Sequence, residues 1–178
     1  MKKNQKLVFI SIYCALALVL DYIKSFIPLL NMPSGGSINI ALLPIAVASF
    51  HMGASDGIVV GFLWWIVSSL LGFNNQFISI PQYVFDYILP SIIIGASSIF
   101  YRKKNLFEIE IGIFIMMLIR TICLILSGVI FWSDGAGLYS KTAWIVSITY
   151  NLPYSVATLI ILLLVTPVVL RSLKKYML

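Results

Sequence analysis

The sequence predicts an all-α integral membrane protein with six transmembrane helices and both termini cytoplasmic. Three observations predict it. The 178 residues are 61% hydrophobic and 10% charged, with mean hydropathy +1.03; a soluble domain has roughly 45–50% apolar and about 25% charged residues. The apolar residues fall into runs, and about 20 in a helix cross ~30 Å of hydrocarbon. The basic residues gather at the ends of those runs.

The elements follow in order. Lys2, Lys3 and Lys6 precede a first span over about Leu7–Leu30. Its length and lack of an A-x-A site mark it as a retained span rather than a signal peptide. Asp21 and Lys24, three apart, form a local pair. Pro33-Ser34-Gly35-Gly36-Ser37 then breaks the chain. The second run, Ile38–Phe50, is short and is expected to be tilted, broken or shallow. Met52-Gly53-Ala54-Ser55-Asp56 is the next break, and His51 beside it is expected to be a solvated loop residue. The third span covers Gly57–Phe73 and ends at Asn74-Asn75-Gln76. The fourth covers Ile80–Tyr101, followed by Arg102, Lys103 and Lys104. The fifth, Phe107–Trp132, is joined through residues 133–142 to the sixth, Ala143–Leu170. Arg171, Lys174 and Lys175 close the pattern.

Six spans put all three basic clusters on one side, which the positive-inside rule makes cytoplasmic. The net charge of +6 is therefore a topology signal rather than a nucleic-acid surface. Residues 31–37 and 74–79 carry no charge and face outside. Cys14 and Cys123 sit in apolar runs as small hydrophobes, without disulfide or metal spacing. Residues 1–178 read as a single domain.

Asp86 lies inside the fourth apolar run, where a carboxylate is costly and marks function. At 1.5 Å per residue it sits roughly 10 Å below the outer edge, and Asn151 on span six roughly 12 Å down. On span five, Leu124 is at the depth of Asp86, with Arg120 roughly 6 Å deeper. Gln82 shares the face of Asp86, and Tyr83 and Tyr87 flank it. Trp144, Ser147, Asn151 and Tyr154 are spaced 3, 4 and 3, one helical face. Trp132 stands at the outer rim.

Few polar groups among aromatics describe a small-molecule pocket. A carboxylate beside aromatic faces suits a flat cationic ligand. Two readings of Asp86 stay open: a ligand contact and a structural ion pair with Arg120. Trp132 and Trp144 also fit an interfacial belt, and Asn151 fits an interhelical hydrogen bond. The sequence holds no nucleotide-binding, hydrolase or metalloprotease motif and no metal cluster. It therefore predicts no enzyme, no cofactor and no nucleic-acid partner. Any ATP coupling must come from partner subunits.

Four segments resemble a known family. They are "MPSGGSINIALLPIAV" (Met32–Val47), "QYVFDYILPSIIIGASSIF" (Gln82–Phe100), "SGVIFWSDGAG" (Ser127–Gly137) and "WIVSITYNLPY" (Trp144–Tyr154). In order and in register, they resemble the thiamine-specific S-components of energy-coupling factor (ECF) transporters, the ThiT/YuaJ family. The resemblance implies a subunit that binds its vitamin from outside the bacterial plasma membrane. It then docks on a membrane coupling subunit, EcfT, driven by two ATPase subunits, and topples to release the ligand inside.

The resemblance also implies residue roles. Asp86 takes the aminopyrimidine and Trp132 stacks on the thiazolium. Tyr87 and Asn151 match pocket residues; Trp144, Ser147 and Tyr150 match around them. Gly35, Gly36 and Ser37 match an outer gating loop. The family's coupling surface is an A-x-x-x-A pattern on span one; here Ala15 matches its first alanine, Val19 replaces its second, and Ser11-x-x-x-Ala15 lies one turn earlier. The family's pocket histidine falls at Leu124 and a pocket tyrosine at Val146. These departures keep open a related ligand, such as a phosphorylated form or a pyrimidine precursor. Stand-alone proton-coupled transport and a structural subunit remain as other classes.

Overall fold

The structure, a computed structural model, describes residues 3–33, 35–73, 76–102, 105–133 and 137–174. Lys2, Ser34, Asn74, Asn75, Lys103, Lys104, Lys175 and residues 134–136 lie outside the described residues.

Helix α1 spans Lys3–Lys24. Ile10, Tyr13, Cys14, Ala17 and Asp21 form its buried stripe at helical spacing, while Leu7, Val8, Ile12, Leu16 and Val19 are exposed. The helix stops short of the expected Leu30. Pro28 lacks an N–H and forces Ile27 into an extended conformation (φ −111°, ψ 93°), so only a 3₁₀ turn, Pro28–Leu30, follows. The Asp21–Lys24 pair forms at 2.7 Å.

Helix α2, Leu42–Met52, has eleven residues, about 16 Å of rise, half a bilayer core. It is apolar all round, and eight of its residues are buried. A helix this apolar belongs inside a bundle, and α1, α3, the fourth helix and the last helix pack against it. The expected break at Met52–Asp56 shrinks to one residue: Gly53, at φ 107°, lets α3, Ala54–Leu70, start at once.

Helix α4 runs over Ile80–Phe100. Ser79 caps it, its hydroxyl accepting from Gln82 N at 3.3 Å. Pro90 offers no N–H to the Asp86 carbonyl four residues back. The ladder shifts to a π turn over Val84–Ile88, with Leu89 N–H reaching the Val84 carbonyl. The irregularity at Asp86 is thus written in Pro90.

Helix α5 spans Leu106–Phe131, and Asn105 caps it by accepting from Glu108 N at 2.9 Å. Helix α6, Lys141–Lys174, carries Pro153 and Pro167 inside it. Among the described residues, α1, α4, α5 and α6 are long and apolar enough to cross a membrane; α2 and α3 are shorter apolar helices.

Small residues bring backbones together. A Cβ on Gly57 would strike the Gly95 carbonyl and sit 2.7 Å from Ser49 Cα; one on Gly61 would strike the Ser91 carbonyl. Gly57-x-x-x-Gly61 is thus the seam between α3 and α4.

Of the described bases, Lys6 and Arg171 lie at one end of the bundle, while Lys24, Arg120 and Lys141 lie elsewhere. Lys6 pairs with Asp56 at 2.7 Å, joining the start of α1 to the start of α3. Tyr101, Asn105 and Arg171 gather round one groove there with His51. His51 is not a solvated loop residue. It ends α2, its Nδ1 lies 2.7 Å from the Tyr13 hydroxyl, and Phe9 meets its ring edge at 5.0 Å. The short α2–α3 turn holds the imidazole against α1.

Candidate ligand-binding cavity

At the other end of the bundle the helices enclose a cavity of about 740 Å³. Helix α4 contributes Asp86, Tyr87, Pro90 and Ser91, α5 contributes Arg120, Leu124 and Gly128, and Trp132 follows at its end. Helix α6 contributes Ala143, Val146, Ser147, Tyr150, Asn151 and Tyr154. Trp64 of α3 and Leu42 of α2 complete the wall.

Asp86 is held by two donors. Gln82 Nε2 donates to its Oδ2 at 2.6 Å, and Trp132 Nε1 donates to the same oxygen at 3.0 Å. Gln82 is fully buried and is itself fixed: Nε2 also reaches the Gln76 carbonyl at 3.2 Å, and Oε1 accepts from Ile78 N at 3.0 Å. Gln82 therefore stands behind Asp86 rather than in the cavity wall. Tyr83 turns away as well, its hydroxyl donating to Ser69 Oγ at 2.8 Å.

The ion pair between Asp86 and Arg120 does not form. Among the described residues the ion pairs are Lys6–Asp56 and Lys24–Asp21. The π turn and the two donors hold Asp86 to the rim tryptophan, while Arg120 sits deeper on α5.

On α6, Asn151 Nδ2 donates to the Ser147 carbonyl at 3.0 Å and to Ser147 Oγ at 3.3 Å. Its Oδ1 accepts from the Tyr154 hydroxyl. Ser147 Oγ donates across to the Ile125 carbonyl at 2.8 Å. Gly128 permits this approach, since a Cβ there would strike Ser147 Oγ. Trp144, expected on this face, lies outside the cavity lining: its indole N–H donates to the Leu138 carbonyl at 2.9 Å, holding the α5–α6 connection instead.

Residues 31–33 and 35–37 lie over the cavity, with Gly36 and Ser37 lining it. Ile38 N donates to the Leu30 carbonyl at 2.8 Å and Met32 N to the Gly36 carbonyl at 3.0 Å. Gly35 and Gly36 have φ of 94° and 75°, a region that side chains disfavour. They also lie flat on the aromatic wall: a Cβ on Gly35 would strike the Tyr150 ring, and one on Gly36 the Tyr154 ring. Asn39 ties the loop down, its N–H donating to Thr158 Oγ1 at 3.1 Å.

Ser11 and Ala15 are exposed on the outer face of α1, away from the cavity. Leu124 and Val146 both line it. Asn39, Trp64, Gln76 and Ser91 also line it, and sequence reasoning did not single them out. Only Ser91 carried a signal, one turn beyond Tyr87 on the Asp86 helix.

Comparison with known proteins places the chain in a family. The family model described as thiamine transporter protein (Thia_YuaJ) matches residues 7–178. The thiamine transporter ThiT of Bacillus subtilis (strain 168) is 33% identical over 172 residues, covering 90% of this chain and 87% of that protein. The fold is that of two solved structures. ThiT from Listeria monocytogenes superposes with a TM-score of 0.79 at 24% identity, covering 98% of each chain. The S component of a bacterial ECF transporter superposes with a TM-score of 0.69 at 21% identity, covering 99% of each. The chain belongs to the thiamine transporter family, Thia_YuaJ.

Proposed function

We propose that this chain is a vitamin-binding S-component that captures thiamine outside the cell. It passes the vitamin to a membrane coupling subunit, EcfT, powered by two ATPase subunits. The family match, the thiamine transporter relative and the S-component fold support this reading. The chain is a multi-pass protein of the cell membrane and, as a member of a transporter family, not an enzyme.

One observation carries the ligand assignment. The cavity wall holds a carboxylate fixed by Gln82 and Trp132, beside Tyr87 and under a glycine loop. Among the described residues both donors use Oδ2, which leaves Oδ1 for a ligand donor. Asp86 then accepts from the aminopyrimidine and Trp132 covers the thiazolium. Asn151, with Ser147, Tyr150 and Tyr154, closes the opposite wall. The loop of Gly35, Gly36 and Ser37 gates access. The basic end of the bundle is cytoplasmic by the positive-inside rule, which turns the cavity outward.

Leu124 and Val146 favour a second reading within the same class, a related vitamin or thiamine precursor. The family's polar residues at those positions are absent, and each lost contact costs about 1–3 kcal/mol if its partner stays unpaired. Titration of the purified chain with thiamine, followed by tryptophan fluorescence and calorimetry, separates them. Saturable quenching by thiamine, absent with pyridoxine and riboflavin, is the expected result. No thiamine binding moves the assignment to the second reading.

A further inference from the structure

Gln82 is fully buried behind the cavity wall. A buried amide is tolerated when its donors and its acceptor are matched. Here they are. Nε2 donates to Asp86 Oδ2 at 2.6 Å and to the Gln76 carbonyl at 3.2 Å, and Oε1 accepts from Ile78 N at 3.0 Å. These partners allow one orientation. Turned over, the amide would set its oxygen against the carboxylate and the Gln76 carbonyl, and its NH₂ against the Ile78 N–H.

The amide fixes the carboxylate in turn. Gln82 precedes Asp86 by four residues, on the same helical face, and its own N–H is held by the Ser79 cap at 3.3 Å. Trp132 reaches the same carboxylate oxygen from the end of α5, but Trp132 is half-exposed at the rim. Gln82 is the partner that neither solvent nor ligand can reach. Its other bonds join Asp86 to residues 76–78, and Gln76 lines the cavity. Acceptor and adjoining wall are therefore one unit. A site with a fixed acceptor rejects an analogue that lacks the matching donor, because the acceptor is left unpaired. A carboxylate free to swing would hydrate instead and lose that discrimination.

We infer that Gln82 is a specificity-determining positioning residue. It holds Asp86 so that the cavity selects a ligand presenting an N–H donor over one presenting a carbonyl at the same place. The inference rests on the reading of this cavity as the thiamine site and names what enforces selectivity there.

The test compares the purified full chain with Gln82→Met, which keeps the side-chain length and removes all three hydrogen bonds. Calorimetry measures thiamine against oxythiamine, the analogue with a ring carbonyl in place of the amino group. In the ligand-free protein, magnetic resonance of isotope-labelled indoles follows the Trp132 side-chain N–H, identified through Trp132→Phe. The expected result is a fall of tenfold or more in the thiamine-to-oxythiamine affinity ratio, about 1.4 kcal/mol. The Trp132 N–H should also lose its protection from solvent exchange. A merely structural Gln82 would weaken both ligands alike, so an unchanged ratio overturns the inference, as does a Trp132 N–H that stays protected. Should Gln82→Met fail to fold, Ile78→Pro removes the N–H that anchors Oε1, from an exposed residue. It must lower the ratio about threefold; no change there also overturns the inference. Thiamine failing to bind the unmutated chain would sink the thiamine reading. Loss of Trp132 protection in Gln82→Met would then still uphold the positioning role, and retained protection would sink that too.

Discussion

Asp86 is costly inside a membrane unless its charge is matched. Here two neutral donors hold its position without cancelling the charge. Its replacement by Asn keeps the shape and removes the charge, so Asp86→Asn is expected to weaken thiamine binding at least tenfold, about 1.4 kcal/mol, by calorimetry. Asn151→Ala breaks the link from Ser147 to Tyr154 and is expected to cost as much. Full affinity in both variants would remove these residues from the site. Gly36→Ala adds left-handed strain of about 1–2 kcal/mol and a clash with Tyr154. It is expected to raise the loop and speed ligand dissociation about tenfold in stopped-flow traces; an unchanged off-rate would show that the loop does not gate. Among the described residues Arg120 has no acid partner to strand, so replacing it should not lower the thermal midpoint of the ligand-free protein. That differs from the ion-pair reading, which required a loss of folding yield.

At the level of elements, glycine decides how the helices meet. Gly57 and Gly61 on α3 press on Gly95 and Ser91 of α4, and α4 carries Asp86. Gly57→Val pushes side-chain atoms into the Gly95 carbonyl. Overpacking of this kind costs typically about 1–3 kcal/mol, and a lower thermal midpoint with weaker binding is expected. A wild-type midpoint would mean that the seam can widen at no cost. Pro90 acts in the same helix by a different route: its missing N–H produces the π turn that sets the Asp86 side chain toward Trp132 rather than Arg120.

For the whole molecule, the cavity and the outer face of α1 lie on separate surfaces. Ser11 and Ala15 are exposed there among Leu7, Val8, Ile12 and Leu16. Small residues let another helix approach closely. If this face meets the coupling subunit, Ser11→Trp blocks thiamine uptake by cells expressing all partner subunits while the purified chain binds thiamine normally. Normal uptake would clear this face of that role, and lost binding would point to misfolding.

By itself the sequence determined the membrane class, the six apolar helices, the clustering of bases and the candidate acid. These are properties of composition and spacing, which survive without knowledge of neighbours. The resemblance added the ligand class through four motifs. Tertiary structure alone decided who touches whom. It set Gln82 behind Asp86, took Trp144 out of the cavity, paired His51 with Tyr13 and left Arg120 without an acid. Helical periodicity gives each helix a face but not its rotation against the next. In this chain that rotation is settled by glycine contacts, a proline-driven π turn and an α2 too apolar to lie anywhere but the centre.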